Sequence, residues 1–149
     1  MSRAPFQVFV YVYRMSKGNE WEFTLFRRSD TGYWQGIAGG GEDGESPIDA
    51  ARREAFEEAD IPMNSRFHRL DTNVCVPIIA FENHKEWDSN LFVIPQYYFA
   101  VECFGPITIS SEHTEVAWFA YVECEKRLHW DSDKTALWEL NRRLLTNNL

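Results

Sequence analysis

Between Phe6 and Arg14 the residues FQVFVYVYR alternate apolar and β-favouring side chains, which predicts a strand. Ser16-Lys17-Gly18-Asn19 is turn chemistry, and Trp21 to Arg27 reads as the second arm of a hairpin. A polar turn at Ser29–Gly32 leads into a short apolar link, Tyr33–Ala38. Glycines at 39, 40, 41 and 44 then predict irregular, permissive backbone up to Glu45. Ser46 is a good N-cap, Pro47 suits the first helical position, and Asp49 stands three residues after the cap, so a helix is expected over about 47–59. Ile48, Ala51, Ala55, Phe56 and Ala59 gather on one side of that helix, broadly opposite an acidic arc of Glu54, Glu57 and Glu58. The expectation is an apolar face turned inward and carboxylates turned out. Pro62 helps to end the helix.

The remainder continues in the same vein. A β-favouring run, RLDTNVCVPIIAF, is interrupted by Pro77; residues 82–90 are polar and have the composition of a lid or binding loop. Leu91 to Phe104 is again β-favouring and stops at Gly105-Pro106. Ser110 to His113 reads as a loop, Val116 to Val122 as a strand, and Glu123 to Trp130 as a short helix. Asp131 or Ser132 would cap a C-terminal helix over about 133–145, its apolar face made by Leu137, Leu140, Leu144 and Leu145. Strands, a central helix, more strands and a terminal helix predict one α+β domain spanning 1–149, with a mixed or antiparallel sheet between helices.

Composition narrows the function classes. A net charge of −8 argues against a nucleic-acid polymer as partner, since that demands basic patches, but not against a nucleotide delivered with magnesium. No segment is long and apolar enough to span a membrane, and the N-terminus lacks the apolar core of a signal peptide. Cys75, Cys103 and Cys124 are widely spaced and read as reduced thiols of a cytoplasmic protein, a monomer or homodimer.

The chemistry concentrates in the glutamates of the central helix. At 100° per residue Glu54, Glu57 and Glu58 fall within an arc of about 100°. Like charges at that spacing each cost roughly 0.2–0.5 kcal/mol. They also sit near the negative end of the helix dipole. A bound cation would remove both penalties; the alternative is a solvated acidic face. Three templates compete for the glycines. Gly39-x-Gly41-x-x-Gly44 matches a dinucleotide fingerprint, but the flanks read as hairpins, not βαβ units. Gly39 and Gly44 also have P-loop spacing, yet the position that must be lysine is Glu45, which repels phosphate.

The third template fits. Gly39, Glu45, Arg53-Glu54, Glu57-Glu58 and Ile61 follow the pattern G-x5-E-x7-R-E-U-x-E-E-x-G-U, where U is bulky and apolar. The chain thereby resembles the Nudix hydrolases. It departs at Asp60, where the pattern has glycine, and at Ala55, smaller than the usual U residue. Arg27-Arg28-Ser29-Asp30, Tyr33-Trp34-Gln35, Ser111-Glu112-His113, Trp118 and Trp130-Asp131-Ser132 look like the dihydroneopterin triphosphate pyrophosphatase branch, also described as dATP pyrophosphohydrolases.

The resemblance implies an αβα sandwich and metal-dependent hydrolysis of a nucleoside or pterin triphosphate to the monophosphate and pyrophosphate. Glu54, Glu57, Glu58, Glu112 and the Gly39 carbonyl would hold Mg²⁺ or Mn²⁺, with Glu54, Glu58 and Glu112 each a candidate base. Glu45 and Arg53 would brace the loop against the helix. Arg27, Tyr33, Trp34 and Gln35 are the candidate substrate contacts. Two further readings stay open: a Nudix hydrolase of another substrate (a dinucleoside polyphosphate, ADP-ribose or an oxidised dNTP), and a non-catalytic nucleotide-binding module on the same fold.

Overall fold

Strand β1 (Arg3–Met15) is apolar on both faces: Val8, Val10 and Val12 point to one core, and Phe9, Tyr11 and Tyr13 to the other. A strand of that kind needs cover on both sides. The computed structural model, which describes residues 2–149, supplies it. Around β1 lie β2 (Trp21–Arg28), β3 (Trp34–Gln35), β4 (Ile37–Glu42), β5 (Phe67–Pro77), β6 (Val93–Glu102) and β7 (His113–Ala120). They form one mixed sheet in the order β3-β2-β1-β6-β5, with β4 on β1 and β7 on β2. Only the β1–β6 pair is parallel among the described ladders. β1 meets β2 only from Tyr13 to Met15, and β4 takes over that edge from Val10 back to Arg3.

Helix α1 (Pro47–Ala59) covers the valine face, while α2 (Tyr121–Arg127) and α3 (Asp131–Leu145) cover the aromatic face. The result is a three-layer αβα sandwich. Among the described residues no helix is long and apolar enough to cross a membrane. Ser46 caps α1 by accepting a hydrogen bond from the Asp49 amide at 3.3 Å. Asp60 ends it in left-handed backbone, φ 57°, with its amide donating to Phe56 O and Ala55 O. That is the conformation for which the family pattern has glycine, and aspartate tolerates it.

Four expectations change. The glycines at 39–41 lie in a regular strand, β4, whose backbone pairs with β1. Ladder hydrogen bonds order it despite the absence of side chains. The buried stripe of α1 is Ala50, Ala51, Glu54, Ala55, Glu58 and Ala59, whereas Ile48 and Phe56 are exposed. Small alanines bring the helix close to the sheet, and two glutamates go in with them. Residues 82–90 contain a short 3-10 segment, Glu82–Glu86, preceded by another at Ile78–Ala80. Finally, α3 begins at Asp131 with no side-chain cap, and its Leu145 is exposed.

Candidate functional site

Glu54 and Glu58, one helical turn apart, are 9% and 8% exposed. Glu54 lies directly over Gly39: a methyl group at position 39 would overlap its carboxylate. The neighbouring glycines serve other close approaches, Gly40 to the Arg3 guanidinium and Gly41 to the Phe6 ring. The strand is glycine-rich because three side chains from elsewhere pack onto its backbone.

Arg53 ties this floor to the helix. It binds Glu45 in bidentate fashion, Nε to Oε2 at 2.9 Å and Nη2 to Oε1 at 3.0 Å, and Nη2 also donates to Gly40 O at 2.8 Å. Its Nη1 donates to Glu54 Oε1 at 2.9 Å and to Glu57 Oε2 at 3.2 Å. Glu45 in turn accepts the Glu42 amide at 3.0 Å, closing the turn before α1. Bidentate charge-assisted contacts of this kind are the strong ones and fix geometry as well.

At the other end, Glu58 Oε2 accepts from Ser110 Oγ at 2.8 Å. His113 Nδ1 is 3.5 Å from the same oxygen and has no hydrogen-bond partner. The His113 ring packs on Phe26, and burial lowers its pKa while Glu112 works against that shift. Glu112 is exposed beside Glu58, and its backbone oxygen accepts from Ser29. Burial pushes both Glu54 and Glu58 up to about 7. Arg53 opposes this at Glu54; the Ser110 hydroxyl opposes it at Glu58 while Glu112 adds to it. Two carboxylates are therefore held, largely buried, in the seam between helix and sheet.

Those donors suit a hard divalent cation: oxygen ligands, excess negative charge and an adjoining cavity for a ligand's own oxygens. Among the described residues, no three acidic, histidine or cysteine side chains stand close enough to enclose an ion, because Arg53 engages Glu54 and Glu57 while Ser110 engages Glu58. Binding would thus require Glu57, which is largely exposed, to exchange Arg53 for the ion.

The cavity beside this seam measures about 590 Å³ and is walled by Arg3, Gly40, Arg53, Glu54, Asn83 and Glu86. The structure thereby brings Gly39, Glu45, Arg53, Glu54, Glu57, Glu58 and Glu112 together. It separates most of the expected substrate contacts from them. Trp34 packs edge-on against Phe119 and under Arg127, on the aromatic face of the sheet. Tyr33 stacks on His129 at 3.9 Å. Arg27 pairs with Trp34 in register and bonds Glu115 and Gly32 O. Their place follows from strand parity: Phe26 faces α1, so Arg27 and its partner Trp34 face away. Gln35, opposite Phe26, keeps the α1 side. So does Arg28, opposite His113 after a register shift, whose guanidinium donates to both carboxylate oxygens of Asp30 at 2.8 and 2.6 Å and feels Glu112 and Glu58 more weakly. Ser110, Arg3, Asn83 and Glu86 escaped sequence reasoning. The polar 82–90 run was the only signal for the last two, and Arg3 precedes the alternating pattern altogether.

Comparison with known proteins agrees with this geometry. The model of the NUDIX domain family matches residues 5–138. A Listeria monocytogenes protein assigned as a NUDIX hydrolase is 36% identical, with 97% of each chain covered and a TM-score of 0.84. The Escherichia coli dihydroneopterin triphosphate pyrophosphohydrolase is 20% identical over 93% of this chain and 97% of its own, with a TM-score of 0.73. A Caenorhabditis elegans Ap4A hydrolase is 18% identical over 96% and 99%, with a TM-score of 0.71. No curated protein sequence matches significantly. With the glycine strand, the Arg53–Glu45 brace and the buried glutamates in the family's order, this chain belongs to the Nudix family of hydrolases.

Proposed function

We propose that the protein is a Mg²⁺- or Mn²⁺-dependent pyrophosphohydrolase of a nucleoside or pterin triphosphate. The observation that carries this reading is the pair Glu54 and Glu58, buried one turn apart against Gly39 and Ser110, with Glu54 at the wall of a polar cavity. Glu54, Glu57, Glu58, Glu112 and the Gly39 carbonyl would hold the cation. When bound, it supplies charge neutralisation for the phosphates and a more acidic water.

This chain's residues do the rest. The water oxygen forms a bond to phosphorus at the α–β anhydride, the P–O bond to the leaving pyrophosphate breaks, and a carboxylate takes the water's proton. Glu54, Glu58 and Glu112 are the candidates for that proton. Arg53 keeps Glu54 against the glycine strand, and Ser110 keeps Glu58 in place. Arg28 and Gln35, on the α1 side, are the candidate substrate contacts in this reading. Three cysteines without disulfides fit a reducing, cytoplasmic setting.

The test is a panel of dATP, dihydroneopterin triphosphate, Ap4A and ADP-ribose with Mg²⁺ and product identification. Pyrophosphate and a monophosphate are expected, with a fall of at least about 10²-fold in Glu58→Gln. Turnover of Ap4A in preference to the triphosphates would instead shift the assignment to the Ap4A type, whose fold similarity is nearly as high. Tight binding with no turnover would leave a nucleotide-binding module.

A further inference from the structure

Arg3 opens β1 and lies flat on Gly40, so close that a methyl group at position 40 would overlap its guanidinium. Its other flank is aromatic: the guanidinium carbon is 5.1 Å from the centroid of Phe81 and 5.7 Å from that of Trp87. Trp87 Nε1 also donates to Arg3 O at 2.9 Å, which fastens the 78–92 segment to the start of β1. The guanidinium thus lies between a glycine backbone and two rings, at the wall of the cavity.

Its charge has no partner among the described residues. Among the described residues Arg3 donates to two neutral acceptors, Phe6 O at 3.2 Å and Gln7 Oε1 at 2.7 Å, and forms no ion pair within 4.0 Å. Glu42, opposite it in register, leans toward Arg53 instead. Burial lowers the Arg3 pKa, with Glu54 working against that effect and Arg53 adding to it. Arg3 and Arg53 both meet the Gly40 backbone, but they differ in occupation. Arg53 is committed to Glu45, Glu54, Glu57 and Gly40 O, whereas Arg3 keeps donors in reserve on the cavity wall. A half-buried cation without a counter-ion is costly unless an anion completes it. A guanidinium locked in one plane by stacking is suited to bidentate capture of phosphate oxygens.

We propose that Arg3 binds a phosphate group of the polyphosphate substrate, and that Phe81 and Trp87 are positioning residues that hold its guanidinium plane for this contact. This rests on the hydrolase reading above and extends it: the 78–92 segment selects for the phosphate chain through Arg3, while the glutamates serve the bond that breaks.

The experiment compares wild type, Arg3→Gln, Arg3→Lys and Trp87→Phe on the substrate identified by the panel, with pyrophosphate as inhibitor. Arg3→Gln should raise KM by about 10- to 100-fold, the loss expected for charge-assisted contacts, with kcat within about threefold. Pyrophosphate inhibition should weaken by the same factor, while Mn²⁺ affinity read by paramagnetic resonance stays unchanged. Arg3→Lys keeps the charge but not the fork, so its KM should fall between the two. Trp87→Phe, which lacks the hydrogen bond to Arg3 O, should shift KM in the same direction by less. A purely structural Arg3 would lower the melting temperature and leave KM and pyrophosphate inhibition within twofold of wild type; that outcome overturns the proposal. If Arg3→Gln does not fold, an unchanged KM in Arg3→Lys overturns it equally. If the wild type turns over nothing, calorimetric titration of Mg²⁺-pyrophosphate still decides the matter. Weaker binding by Arg3→Gln upholds the anion site while the hydrolase reading falls, and equal binding removes both.

Discussion

At the residue scale, the contacts of Gly39 and Asp133 each lead to a measurable consequence. Gly39 is glycine because Glu54 occupies the space where a side chain would stand. In Gly39→Ala the carboxylate must move, and misplacement on the order of 1 Å costs about 10²-fold in rate. Steady-state kinetics should show that loss with only a modest drop in melting temperature, since β4 keeps its ladder. Asp133 is 3% exposed in the first turn of α3, and its Oδ1 accepts from Tyr98 Oη at 2.7 Å. Burial raises its pKa from 3.8 to about 6, with the tyrosine hydrogen bond opposing the shift. A folded pKa above the unfolded one means stability that is complete below about pH 4 and lost as pH rises through about 6. Relative to Asp133→Asn, the wild type should therefore lose on the order of 2–3 kcal/mol between pH 4 and 7. Urea titrations at the two pH values measure this, and parallel stability curves would contradict it.

At the scale of elements, α1 shows how the family pattern is adjusted in this chain. Its buried stripe of alanines lets the helix sit low on Val8, Val10 and Phe26, which brings Glu54 and Glu58 down to the glycine strand. Ala55 is fully buried, where the family usually carries a bulkier residue. Restoring bulk with Ala55→Leu should overpack the seam and cost about 1–3 kcal/mol. It should also lift the glutamates from Gly39 and Ser110, so activity should fall together with the denaturation midpoint. The start, cap and end of this helix were legible because each is local chemistry: Ser46, Pro47 and the left-handed Asp60. Its inward face was not. The moment of the apolar residues favoured Phe56 and Ile48, but depth in a helix–sheet interface is set by how close the backbones approach.

At the scale of the whole molecule, most strands, the order of elements and the spaced Glu45, Arg53, Glu54, Glu57, Glu58 set could be read along the chain. Periodicity, turn residues and i, i+3, i+4 spacing are properties of neighbours in sequence. Even the two-sided burial of β1 agrees with its unbroken run of β-favouring residues. The tertiary structure decided which face of the sheet each side chain meets. The adjacent Arg27 and Arg28 look alike in sequence, yet strand parity and a register shift turn one to Glu115 and the other, paired with Asp30, to the α1 side of the sheet. Trp34 and Tyr33 go to the aromatic layer for the same reason. Arg3, Asn83 and Glu86 meet Glu54 across a cavity only because β4 pairs with the first half of β1 and Trp87 fastens its segment there. The sequence by itself thus determined the helix, the carboxylates and the family. Who faces whom across the sheet was decided by long-range pairing, because contact between distant segments depends on register and parity that no local pattern records.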